Sequence, residues 1–89
     1  TLLAPPPSPR IRRLIEQSVA CEREGDLDGA VDVAGEAATL APGSVDAMLR
    51  LGGALRASGK LDVARDALVH ALALGPGRID VMLTLAMTC

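Results

Sequence analysis

No phenylalanine, tyrosine or tryptophan occurs in this chain of 89 residues. Any core must be filled by Leu, Ala, Val, Ile and Met, an alphabet dominated by helix formers. The missing rings also remove the platform on which nucleic-acid bases stack, and a formal net charge of −2 offers no basic field to a phosphate backbone. Nucleic acid is therefore not an expected partner. Cysteine and histidine are nearly absent as well. Cys21 and Cys89 stand far apart in the chain, no CxxC pair occurs, and His70 is the single histidine. Neither a metal site nor a disulfide framework is expected, nor any cofactor. Long apolar runs are missing too: nothing approaches the ~20 residues that span a bilayer, and Thr1-Leu2-Leu3-Ala4 lacks the cationic start of a signal peptide. No membrane association is expected, and the expected setting is reducing and cytoplasmic.

What the chain does have is a repeat. Shifted by 34, residues 11–44 fall on 45–78 with identities that include Gly25/Gly59, Asp28/Asp62, Ala30/Ala64, Ala37/Ala71, Leu40/Leu74 and Pro42/Pro76. A second shift of 34 places Asp46, Met48, Leu49 and Leu51 on Asp80, Met82, Leu83 and Leu85. The chain thus holds two repeats, 11–44 and 45–78, and the first helix of a third, 79–89. The prolines of Leu3-Ala4-Pro5-Pro6-Pro7-Ser8-Pro9 make residues 1–9 a semi-rigid linker or tail, leaving 10–89 as one helical repeat domain. With no initiator methionine, this linker favours a multidomain parent.

Each repeat splits into two helices at a glycine. Ile11, Leu14, Ile15, Val19 and Ala20 have helical spacing, with Ser8 placed to cap them and Gly25 to end them. Asp26 caps the next helix, which stops at Pro42-Gly43; Ser44 caps a third, which stops at Gly59. A fourth is predicted over about Leu61–Leu74 before Gly75-Pro76-Gly77, and a fifth over the remaining residues. Links of two to four residues force antiparallel neighbours.

Small residues stand where paired helices must approach closely, Gly52 and Ala64 in the second repeat, with Ala86 and Ala30 at the same places of the other repeats, and Pro42 and Pro76 close the repeats. On these residues and the period of 34, residues 11–89 resemble the tetratricopeptide repeat family. The resemblance implies an all-α fold of antiparallel helix-turn-helix repeats stacked as a short right-handed α-solenoid. The second repeat fits the pattern well. In the first, Gln17, Ser18, Cys21 and Ala34 replace larger apolar residues, so looser packing is expected there.

The resemblance also implies a function. The first helix of each repeat lines a concave groove in this family, which assigns Ile15, Leu49 and Leu83 to one row of groove positions and Val19, Gly53 and Met87 to another. Such an apolar groove suits a hydrophobic helix or an extended segment of a partner protein. Some members clamp a peptide carboxylate with Lys and Asn; the matching places here hold Ile15, Val19, Arg50, Asp80 and Thr84, so Arg50 alone retains that capacity. The expected role is a protein-interaction module, an adaptor or scaffold. The alternative is a non-catalytic segment of a larger glycosyltransferase, sulfotransferase or hydroxylase.

Nothing assembles into a catalytic centre. His70 matches Glu36 across the repeat and is expected on the surface, and Cys21 is expected as a small buried filler rather than a nucleophile. Two surface features remain. Residues 11–44 hold three cations against seven anions, and residues 45–78 five against three, a polarity that favours head-to-tail contact between copies. Helix five is apolar on nearly every side, so a further helix of the same chain, or a second copy, is expected to cover Val81, Leu85 and their apolar neighbours.

Overall fold

A computed structural model describes residues 8–88. Cys89 and most of the expected linker lie outside the described residues, and so does the expected separation of the two cysteines. Within them the chain forms five helices and no strand: α1 (Pro9–Arg23), α2 (Leu27–Leu40), α3 (Val45–Ala57), α4 (Leu61–Leu74) and α5 (Ile79–Thr88).

The helix ends follow local chemistry. The hydroxyl oxygens of Ser8 and Ser44 each accept a hydrogen bond, from the amides of Ile11 and Ala47, both at 3.2 Å. The Asp26 carboxylate accepts from the amide of Gly29 at 3.0 Å. These acceptors satisfy amides that have no partner inside a helix. Gly25 and Gly59, at φ of 83° and 84°, end α1 and α3 in the left-handed region that glycine enters without steric cost. Around each the backbone closes the same pair of bonds, Asp26 to Cys21 and Gly25 to Glu22, then Lys60 to Leu55 and Gly59 to Arg56. After α2 and α4 the chain turns through Pro42-Gly43 and Pro76-Gly77, with Ser44 donating to the Ala41 carbonyl and Arg78 to that of Gly75.

Helices pair within each repeat, α1 with α2 and α3 with α4, and α2 and α4 each pack on the next first helix. The first helices α1, α3 and α5 also touch one another in sequence, whereas the backbones of α2 and α4 nowhere approach within 8 Å. Contact on one side and separation on the other bends the stack, with the first helices on its inner side.

The core is thin and made of small residues. Ala30, Ala34 and Ala54 pack with Cys21, Val31 and Leu51, while Ile11, Ala37 and Ala47 pack with Leu14, Ile15 and Ala41. Cys21 is half-buried there, and His70 is exposed with Nε2 3.4 Å from the Pro42 carbonyl oxygen. The expected looseness of the first repeat does not extend to Ser18 and Ala34, which are both fully buried, with the Ser18 hydroxyl donating to the Ala30 carbonyl at 2.8 Å, while Gln17 is exposed and Cys21 half-buried. Helix α5 requires a second correction. Val81 is fully buried inside the chain, at the place of Ala47 one repeat earlier, and Leu85 is half-buried. Neither presents the open face of α5; Ile79, Met82, Leu83 and Met87 do.

Candidate partner-binding groove

The inner side of the bend holds a groove of about 590 Å³. Its walls come from the first helices. Helix α1 supplies Arg12, Ile15 and Val19; α3 supplies Asp46, Leu49, Arg50 and Gly53; α5 supplies Asp80 and Thr84, with Arg78 just before it. The volume falls within the range of about 300–1,000 Å³ typical of ligand pockets, room for a few side chains rather than a whole helix.

Of the residues assigned to the groove from the sequence, Ile15, Val19, Leu49, Arg50 and Gly53 are brought together. Leu83 and Met87 are not. They share the repeat places of Leu49 and Gly53, but within the described residues α5 has a first-helix neighbour on one side only, and they stand 59% and 61% exposed. Arg12, Asp46 and Arg78 were not assigned to the groove, and Asp80 and Thr84 only as places a clamp would occupy. One signal in the sequence points to three of these five: residues 12, 46 and 80 are spaced by 34, the same spacing that relates Ile15 to Leu49.

Arg50 does not offer a free cation. Its Nη2 is held by the Glu22 carboxylate of α1, an ion pair that ties α3 to α1. The Arg50 side chain is mostly buried, and its Nε has no hydrogen-bond partner among the described residues. A Cβ at Gly53 would lie 3.4 Å from Nη2, so the guanidinium folds back across the glycine one turn on. The second cation, Arg78, bridges two helix starts. Its Nη2 donates to Asp46 Oδ1 of α3 and to Asp80 Oδ2 of α5, each at 2.8 Å, and its Nε donates to Asp80 Oδ1 at 3.0 Å. These bonds, Asp80 first and Asp46 second, hold the guanidinium charged beyond its ordinary range. The hydrogen bond from Arg78 is also the main reason that the Asp80 carboxyl sits below the usual carboxylate range.

Among the described residues no group of His, Cys, Asp or Glu is arranged to hold a metal ion, and no helix is long and apolar enough to cross a membrane. The groove presents an apolar floor and a charged rim. No curated protein matches the chain. The sequence model of the tetratricopeptide repeat family matches residues 23–86.

Proposed function

Because the chain belongs to the tetratricopeptide repeat family, whose repeats generally form protein-interaction modules, we propose that it holds an apolar segment of a partner protein in the groove of α1, α3 and α5. The observation that carries this reading is the floor. Ile15, Val19 and Leu49 are each only partly buried around Gly53, so part of their apolar surface stays open in a concave wall. Burying such surface contributes about 25 cal/mol for each Å² removed from water. The test is selection from a random peptide display library on the intact chain. Binders enriched on the wild type are expected to be lost with Leu49→Glu at an unchanged melting temperature. Binders indifferent to Leu49→Glu and Ile15→Glu would remove the groove from the proposal.

A second observation favours self-association through α5. Ile79, Met82, Leu83 and Met87 lie at helical spacing on one helix and are exposed together. They form an apolar stripe of the kind that marks a contact surface.

A further inference from the structure

The rim of the groove carries charge in a pattern that follows the repeat. Residues 12, 46 and 80 occupy one equivalent place on α1, α3 and α5, and the row reads Arg12, Asp46, Asp80. At the α1 end Arg12 is exposed and, among the described residues, forms no ion pair. At the other end Asp46 and Asp80 share the single guanidinium of Arg78, two negative charges against one positive. Arg50 leaves this balance unchanged because Glu22 neutralises it. One positive charge is thus left uncompensated beside Ile15, and one negative charge around the starts of α3 and α5, on either side of the apolar floor.

Resting on the groove reading above, we infer that the bound segment carries its apolar side chains between an acidic group, which meets Arg12, and a basic group, which meets Asp46 and Asp80. The charges set the direction in which it lies. Two helix spacings of about 8–10 Å separate α1 from α5, roughly twice the Debye length at 0.1 M salt, so each end of the groove acts on its own charge. A uniformly acidic segment meets repulsion at α3 and α5, and a uniformly basic one meets it at α1. Exposed ion pairs are weak, so the floor supplies most of the affinity and the rim supplies the polarity.

The test uses four end-blocked, fluorescein-labelled synthetic peptides with one Leu/Ala centre: Glu at one end and Lys at the other, Glu at both, Lys at both, and Gln at both. Fluorescence anisotropy with the intact chain at about 0.1 M salt, where the two ends are screened from each other, is expected to rank Glu/Lys tightest, by about two- to fivefold per charge over Gln/Gln. Arg12→Gln should remove the advantage due to Glu, and Asp80→Asn the advantage due to Lys. Arg12→Glu should make the Lys/Lys peptide the tightest. Four equal affinities, all lost with Leu49→Glu, would overturn the charge inference and leave the groove reading standing. Failure of all four to bind would overturn both. A dimer of the chain alone that Leu49→Glu dissociates would make the occupant a second copy and overturn the inference as well.

Discussion

Gly52 and Leu68 meet where α3 and α4 cross: a Cβ built on Gly52 would lie 2.5 Å from Leu68 Cγ, and Leu68 is fully buried. One repeat earlier the same two places hold Ser18 and Ala34, both buried. The bulk has moved across the interface, from the second helix to the first, and the close packing is kept. Read singly, Ser18 and Ala34 are departures from the family pattern and point to a loose repeat. Their compensation was not legible because each lies on a different helix and only the crossing brings them together. Leu68→Ala is expected to cost about 2–5 kcal/mol through the cavity it leaves, and Gly52→Ser alone should destabilise by forcing a side chain into Leu68. The double variant, which recreates the Ser18/Ala34 pair, should cost clearly less than the sum of the two. Denaturant melts of the four proteins measure this coupling. Additive costs would show that the two places do not share one packing volume.

At the scale of the helix, boundaries were the most legible part of the chain. Glycine and proline interrupt the pattern, and Ser8, Asp26 and Ser44 each cap as their position demands. Helix α4 is the exception, since Lys60 stands at its N-cap and makes no side-chain cap bond. A cation at a helix start also opposes the helix dipole. Aspartate is the obvious replacement by analogy with Asp26, but a Cβ at Gly29 would collide with the Asp26 carboxylate, and α4 has Val63 at that place. Serine avoids the clash, for Ser8 caps α1 with Ile11 at the corresponding position. Lys60→Ser is expected to stabilise the chain by about 1 kcal/mol, read as a higher melting midpoint. A midpoint at or below that of the wild type would count against the capping argument. The rim of the groove was less legible than the helix ends. Arg12 is one of three cations near the start of α1, with nothing in the sequence to single it out but its spacing of 34 from Asp46, and the bridge from Arg78 to Asp46 and Asp80 depends on the turn at Pro76-Gly77 bringing two helix starts together.

That bridge gives a dependence on pH whose sign can be stated. Asp80 is held below its ordinary range mainly by the hydrogen bond from Arg78. A carboxyl depressed in the folded state contributes stability that is fully present above its unfolded value, near pH 4, and is lost as pH falls through the lower folded value. The contribution therefore fades on acidification below about pH 4 and is constant at neutral pH. NMR titration of the Asp80 side chain should show a midpoint below the ordinary carboxylate value, rising towards it in Arg78→Gln while the bond from the Val81 amide remains. An unchanged midpoint in that variant would show that Arg78 is not the cause.

For the whole molecule, two features of the surface favour different ways for copies to meet. The first repeat is acidic and the second basic, which alone favours head-to-tail contact. The apolar surface is one-sided instead: Leu61, Val63, Val69 and Leu74 on α4 and Ile79, Met82, Leu83 and Met87 on α5 are exposed, against Leu40 alone in the first two helices. The outer residues of α1, such as Arg13, Glu16 and Gln17, are polar and offer this apolar end nothing to match. Magnitudes decide between the two. An exposed ion pair contributes about 0–1 kcal/mol and is screened by salt, whereas fully burying one Leu or Met side chain contributes about 1.5–3 kcal/mol. Of the two contacts, α5 against α5 is therefore the one expected for this chain of 89 residues by itself, and a two-fold axis would close it as a dimer. Sedimentation velocity of the chain at high micromolar concentration should show a dimer that persists in high salt and dissociates in Leu83→Glu/Met87→Glu with helicity retained. Val81→Glu should behave differently, losing helicity, because its side chain lies inside the stack. A dimer that dissolves on adding salt would favour the head-to-tail contact, and a wild-type monomer throughout would leave α5 without a self-association role.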